Sequence, residues 1–238
     1  VNVDLIGKSD LDLTRRADIV FVAPPALMTE KQRQNASTWF SPHGVDAALF
    51  GKALDPATPI PPLASQLSRP VIGFFGLIAD WIDTDLICWL ADSRPEWTLL
   101  LVGAKKTSTL ELERRPNIHM PGPQPYADLP GWAKSFDVAI IPYRLNRQVQ
   151  NANPLKLREY LATGRPVVTV RNPEIERFSD LVRIADDRES FLRAIEESLK
   201  PEPPEDVQRR VASVRALTWD NRVTEVLEKV SEAYAKRN

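Results

Sequence analysis

The middle of the chain is a series of short, continuously apolar runs separated by segments with the apolar spacing of a helix. Strands that are apolar at every position are typical of a parallel sheet covered by helices on both faces. The order strand, helix, strand therefore predicts a doubly wound, Rossmann-like α/β domain. The predicted strands span 71–75, 98–102, 117–120, 137–141 and 166–170, and the helices between them 83–92, 128–135 and 155–163.

The segments on either side of this domain have different patterns. Near the start, predicted strands at 18–22 and 37–41 flank a predicted helix at 25–34. A proline-rich stretch without periodicity predicts an extended linker over 47–69.

The tail has apolar stripes at helical spacing, which predict helices packed through those stripes, the last of them at 221–236. Together these patterns divide the chain into four parts, 1–46, 47–69, 70–200 and 201–238.

Composition limits the classes of protein that fit. A hydrophobic fraction of 43% in 238 residues is enough for a sizeable core. The 31 basic and 32 acidic residues nearly balance, which argues against a nucleic-acid surface. The single cysteine, Cys88, permits no intrachain disulfide, as in a reducing cytoplasm. No apolar run approaches the ~18 residues of a membrane span, and a chain that starts with Val and has no signal peptide indicates a piece of a longer protein.

Candidate binding residues follow the predicted strands, where open parallel sheets bind their ligands. Gly76 and Gly103 each end a strand, and a missing side chain lets a ligand reach the backbone. Lys105 and Arg144 follow two of the strands, and Lys156 lies at the start of the helix at 155–163. Cations and free amides at a helix start are what a phosphate group needs. These positions therefore predict a phosphate site.

The start of the helix at 155–163 is the most informative segment. Pro154 suits the first helical position, which would leave the amides of Leu155 and Lys156 free for a diphosphate. Glu159 lies within one turn of Lys156, and a carboxylate can accept two hydroxyl hydrogen bonds from a ribose. The same spacing also fits an ordinary exposed ion pair at positions i and i+3. The residues alone leave both interpretations open.

The stretch at 151–168, NANPLKLREYLATGRPVV, resembles the donor-binding signature of retaining GT-B glycosyltransferases (glycosyl transferases group 1), in particular those of bacterial polysaccharide synthesis. In that signature a Glu, seven residues and a second Glu precede Ala-x-Gly-x-Pro-Val-Val. Glu159 stands at the second Glu. The segment at 42–46 resembles the crossing between the two domains of such enzymes, and the segments at 118–124 and 135–142 resemble two successive strands with their loops.

This resemblance implies that most of the chain is the nucleotide-sugar-binding C-terminal domain. Only the last part of the N-terminal acceptor domain would be present, at 1–46, and the last helix would pack back toward it. By resemblance, Glu159 holds the ribose hydroxyls and the backbone around Gln124 meets the base. Two departures are Asn151, which stands at the first Glu of the signature, and Leu77, where many relatives have Arg. The implied donor-binding residues are Gly76, Gly103, Lys105, Gln124, Arg144, Asn151, Asn153, Pro154, Leu155, Lys156 and Glu159.

The implied function is transfer of a sugar, with retention, from a nucleotide diphosphate sugar to a saccharide or lipid-linked acceptor in bacterial polysaccharide synthesis. No cofactor beyond this donor and no metal is expected, because Asp80, Asp83 and Asp85 near a helix start are typical caps. Since most of the acceptor domain would lie outside the chain, the fragment alone is expected to be inactive and its catalytic residues are unknown. A cytoplasmic location is expected, with peripheral contact at the inner face of the membrane left open. A nucleotide-sugar epimerase of the same fold, or a non-catalytic binding module, also fits.

Overall fold

The computed structural model describes residues 3–146, 149 and 152–235. Six strands form one wholly parallel sheet, and two more form a separate parallel pair near the start of the chain. The pair consists of β1 (Val20–Val22) and β2 (Thr38–Phe40), and the large sheet of β3 (Val71–Phe75), β4 (Thr98–Val102), β5 (Ile118–Gly122), β6 (Val138–Ile141), β7 (Val167–Val170) and β8 (Arg183–Ala185).

Helices connect these strands, and two short 3-10 turns lie at Lys52–Leu54 and Tyr126–Asp128. The helices are α1 (Val3–Arg16), α2 (Pro25–Gln34), α3 (Ala47–Gly51), α4 (Pro62–Ser65), α5 (Thr84–Ser93), α6 (Leu110–Glu113), α7 (Leu129–Lys134), α8 (Leu155–Ala162), α9 (Pro173–Glu176), α10 (Arg188–Ser198), α11 (Pro204–Val214) and α12 (Trp219–Ala235).

The large sheet has the order β5-β4-β3-β6-β7-β8, so the direction of winding reverses between β3 and β6. One face packs against α5 and α10, and the other against α3, α7 and α8. Because both faces are covered, every residue of β3, β4, β6 and β7 is buried, which is why these strands are continuous apolar runs in the sequence. The predicted doubly wound α/β fold is confirmed, and its topological switch point lies between β3 and β6.

The segment at 47–69 differs from the extended linker that its prolines predict. It contains α3, α4 and a 3-10 turn, and its side chains Phe50 and Ala64 are buried in the core. The prolines conceal these helices, because Pro62 occupies the start of α4, where a missing amide hydrogen has no cost. The segment is therefore part of the packing on one face of the sheet. The division of the chain into domains remains a prediction.

Besides α3 and α4, four of the described helices and strands have no counterpart in the sequence pattern: α1, α6, α9 and β8. The edge strand β8 has three residues and an exposed arginine, and α6 and α9 have four residues each, so none of these three is long enough for a periodic signal. Helix α1 is polar overall and is attached to α2 through the buried Lys31, which donates to Asp10 and Thr14.

The apolar stripe of the last helix is largely exposed, although its spacing predicts a packing face. Val223, Leu227 and Tyr234 are 54%, 59% and 70% exposed. The helix does contact the first part of the chain, since the Lys229 ammonium lies 4.3 Å from the centre of the Trp39 ring. Among the described helices, none combines the length and the apolar character that crossing a bilayer requires.

Gly73 provides a test of the core. It lies in the middle of β3, and a Cβ atom there would come within 2.1 Å of the Phe136 ring. We expect Gly73→Ala to lower the free energy of unfolding by about 1–3 kcal/mol through overpacking. The control is Gly7→Ala, because Gly7 lies inside α1 with open space at its Cβ position, and this variant should gain about 0.5–1 kcal/mol. Urea unfolding measures both, and equal effects would contradict this packing.

Candidate functional site

Three segments meet at the switch point of the sheet. Gly76 follows β3 and Gly103 follows β4, both at positive φ of 146° and 156°, a backbone conformation that favours glycine. A Cβ atom on Gly103 would lie 1.8 Å from the carbonyl oxygen of Gly76, and one on Gly76 would lie 2.9 Å from Cε of Lys156. The structure therefore brings Gly76, Gly103 and Lys156 together, as their places after strands and at a helix start predict.

The start of α8 is open to a ligand. Pro154 is the residue before the helix and not its first residue, one position earlier than expected, because its carbonyl oxygen already accepts from the amide of Leu157. It has no side chain that could cap the helix. The amides of Leu155 and Lys156 make no hydrogen bond within the described part of the chain. Unsatisfied amides at a helix start, with the positive end of its dipole, favour an anion.

Lys156 and Glu159 form the ion pair that their spacing allows, with 2.6 Å between Nζ and Oε2. The pair is not an exposed one, because the side chains are 20% and 1% accessible. The second oxygen of Glu159, Oε1, is buried and accepts no hydrogen bond from any described residue. An unsatisfied buried acceptor is costly, and one beside an open helix start suits a ligand hydroxyl.

Two tyrosines stand near Glu159. Burial first and the Glu159 charge second raise the pKa of the Tyr143 phenol to about 12. The same two causes, with the charge of Asp46 third, raise the pKa of the Tyr126 phenol to about 12. Tyr126 is half exposed, and its ring meets Phe50 edge-on at 5.6 Å. Sequence reasoning missed Tyr126, although it follows the segment at 118–124 assigned to the base by resemblance.

Two predicted cations have other partners. Lys105 donates to Glu113 at 2.7 Å on the surface. Arg144 donates to the carbonyl of Ile82 at 3.1 Å and lines a 340 Å³ cavity between α5 and α10, whose lining does not include Lys156. The assignment of Lys105 and Arg144 to the donor site therefore stays a prediction. Their observed contacts follow from the chain path after β4 and β6, which sequence position alone does not reveal.

Asn153 lies beside the site with its side chain already engaged. Its Nδ2 donates to the carbonyl of Ala23 at 3.0 Å, and its Oδ1 accepts from Arg158 at 2.8 Å. Its backbone oxygen accepts from Nδ1 of His43 at 2.9 Å.

The remaining predicted positions have varied placements. Gln124 is half-buried, with Nε2 3.4 Å from the carbonyl of Pro121. Asn151 lies outside the described residues. Asp83 caps α5 by accepting from the amide of Leu86 at 3.0 Å, as its place near a helix start predicts. Leu77 is 38% exposed, so this departure from the family resemblance places an apolar side chain on the surface.

A family of known proteins has the same sequence pattern over most of the sheet. The model of the family described as "Glycosyl transferases group 1" matches residues 69–200. The chain belongs to this family. A putative teichuronic acid biosynthesis glycosyltransferase, TuaH of Bacillus subtilis (strain 168), is 30% identical over 181 residues, which are 73% of this chain and 45% of that relative. The chain thus spans about half the length of this curated relative.

Solved structures have the same fold. Sucrose-phosphate synthase from Thermosynechococcus elongatus matches 96% of this chain and 61% of its own, with a TM-score of 0.71 and 16% identity. Anabaena Alr3699/HepE, in complex with UDP and glucose, matches 94% of this chain and 66% of its own, with a TM-score of 0.64 and 18% identity. At these identities the matches establish the fold, and the predicted GT-B glycosyltransferase fold is confirmed.

The buried ion pair leads to a prediction about stability. Lys156→Met leaves the Glu159 carboxylate buried without a cation, and we expect a loss of about 3–5 kcal/mol of unfolding free energy. Lys156→Arg, which keeps the charge, is the control and should lose less. Urea unfolding measures both variants. An equal loss in the two variants would mean that the charge of the lysine does not stabilise this site.

Proposed function

We propose that this chain is the donor-binding part of a glycosyltransferase that uses a nucleotide diphosphate sugar. The observation that carries the proposal is the open start of α8, where the amides of Leu155 and Lys156 are free. The Lys156 side chain lies beside Gly76 and pairs with the buried Glu159. Free amides, a helix dipole and an ammonium group together suit a diphosphate. The family match over 69–200 supports the same activity.

Each group of the site has a role in this proposal. The diphosphate accepts from the amides of Leu155 and Lys156. The ammonium group of Lys156 has three donors, so it can hold Glu159 and a phosphate oxygen together. Glu159 accepts from the ribose through Oε1, the oxygen that has no partner in the described chain. As the bond to the sugar breaks, charge develops on the leaving diphosphate, and these fixed donors stabilise it without a metal ion.

The donor and setting are inferred from the relatives. The HepE structure holds UDP and glucose, so we propose a UDP-sugar as the first donor to test. The relative named for teichuronic acid biosynthesis supports a role in bacterial polysaccharide synthesis, with a saccharide or lipid-linked acceptor. We propose that the reaction retains the anomeric configuration and takes place in the cytoplasm, with peripheral contact at the inner face of the membrane left to experiment.

Calorimetry of this chain with UDP, GDP and ADP tests the site. We expect at least one of them to bind, and Lys156→Ala to weaken that binding about 10- to 100-fold, since it removes a charged hydrogen-bond donor. Glu159→Ala should weaken it about tenfold through lost ribose contacts. The control is Lys229→Ala. It breaks the Lys229–Glu232 ion pair, which also joins a lysine to a glutamate three residues later and lies away from α8. No binding of any nucleotide, or equal effects of Lys156→Ala and Lys229→Ala, would overturn the proposal.

The reaction products separate a transferase from an epimerase. A protein that carries this chain together with an acceptor-binding half is incubated with UDP-glucose and a saccharide acceptor. We expect release of UDP with the sugar attached to the acceptor, in the donor's anomeric configuration by NMR, and no loss of rate in EDTA. Release of a free sugar isomer without an acceptor would indicate an epimerase. Binding without turnover would indicate a non-catalytic module.

A further inference from the structure

A buried arginine in α8 forms an ion pair with a glutamate in α9. Arg158 and Glu174 are each about 1% exposed, and the guanidinium donates to the carboxylate. Burial lowers the pKa of Arg158, and the Glu174 charge opposes that shift. Burying two charges is costly, and a well-packed apolar pair of similar volume is often as stable. The ion pair therefore calls for a role beyond filling space.

The guanidinium connects this ion pair to the peptide that precedes α8. Nη1 of Arg158 donates to Oδ1 of Asn153 at 2.8 Å, while Nη2 donates to Glu174. Asn153 lies immediately before Pro154 and two residues before the first free amide of the site. Its Nδ2 donates to the carbonyl of Ala23, just after β1. The side chain of Asn153, two residues before α8, is thus held by hydrogen bonds on two sides.

Helix α9 holds the same peptide from a second point. Asn172 donates from Nδ2 to the carbonyls of Val149 and, at 3.3 Å, Ala152. Its Oδ1 accepts from the amide of Glu174 at 2.8 Å, so one side chain both begins α9 and fastens the chain that leads into α8. The start of α9 therefore provides both the Asn172 contacts to the chain before α8 and the glutamate that pairs with Arg158.

We propose that Arg158, Glu174 and Asn172 are positioning residues, which fix the peptide before α8 so that the amides of Leu155 and Lys156 stay at the diphosphate site. This inference rests on the proposed function. Pro154 has no side chain that could cap α8, so the first two amides of the helix are not held by a cap. Arg158 acts through Asn153, because it is buried, its charge is paired and it offers no surface to a ligand. Binding groups need such support, since a displacement of about 1 Å can cost most of their effect.

The test uses two buried arginines. Arg158→Lys keeps a charge for Glu174 but loses the planar fork that reaches Asn153 at the same time. The matched control is Arg210→Lys. Arg210 is 6% exposed, pairs with Glu202 and donates to the carbonyl of Gly164, just beyond the other end of α8. Both variants replace the planar guanidinium of a buried arginine that pairs with a glutamate beside the same helix, and only Arg158 adjoins the site.

We expect Arg158→Lys to weaken UDP binding about tenfold, as changes to groups that support a binding site commonly do. Arg210→Lys should bind within twofold of the unchanged chain at a temperature where all three are fully folded. Without any nucleotide, amide hydrogen exchange over 152–158 should become faster in Arg158→Lys and remain unchanged in Arg210→Lys. A merely structural role would move affinity and exchange equally in both variants, and that result would overturn the inference.

The two readouts separate the failure of this inference from the failure of the proposed function. If the unchanged chain binds no nucleotide, the proposed function fails. In that case the hydrogen exchange of the amides at 152–158 still tests the positioning role. Exchange that is unchanged in Arg158→Lys would refute it, and exchange that is faster in Arg158→Lys but not in Arg210→Lys would support it. If UDP binds and Arg158→Lys alters neither its affinity nor the exchange, the positioning role is wrong while the donor site stands.

Discussion

A helix start with unsatisfied amides is the constraint on which this site depends. The first amides of a helix must bond to a capping side chain, to water or to a ligand. In α8 the preceding residue is a proline, which offers no capping group, and the amides of Leu155 and Lys156 have no partner in the described chain. The glycines at 76 and 103 allow the ends of β3 and β4 and the side chain of Lys156 to approach one another closely. The arrangement therefore favours an anion over a side chain of the protein.

Burial changes the meaning of the Lys156–Glu159 pair. On an exposed helix such a pair contributes a few tenths of a kcal/mol and carries no function. Here α8 is packed against the sheet, with Tyr160 accepting the amide hydrogen of Phe75 at 2.8 Å, and Glu159 is removed from solvent. A carboxylate in that position needs its lysine, and its other oxygen is left for a ligand. The same two residues thus serve the stability of the helix and, in our proposal, the binding of the donor.

The site has fewer cations than its family resemblance implies. Leu77 supplies none, and Lys105 and Arg144 are directed to partners elsewhere. In our proposal the diphosphate is held mainly by backbone amides and one ammonium group. Such a site depends on the exact path of the backbone more than a site built from long side chains does. That dependence gives a reason for the buried polar contacts around Asn153, which fasten the chain in front of α8.

The sequence by itself determined the sheet and supplied the candidate positions of the site. Strands buried on both faces must be apolar throughout, so β3, β4, β6 and β7 were recognisable as continuous runs, and the glycines that end β3 and β4 were recognisable as candidate binding positions. Only the tertiary structure decided the directions of Lys105 and Arg144, the burial of Glu159 and the packing of α3 and α4. It also supplied α9, which is too short for a periodic signal. The physical reason is that periodicity is a local signal. It shows which face of a helix or strand is covered, whereas the partners of a charged side chain come from residues that are distant in sequence.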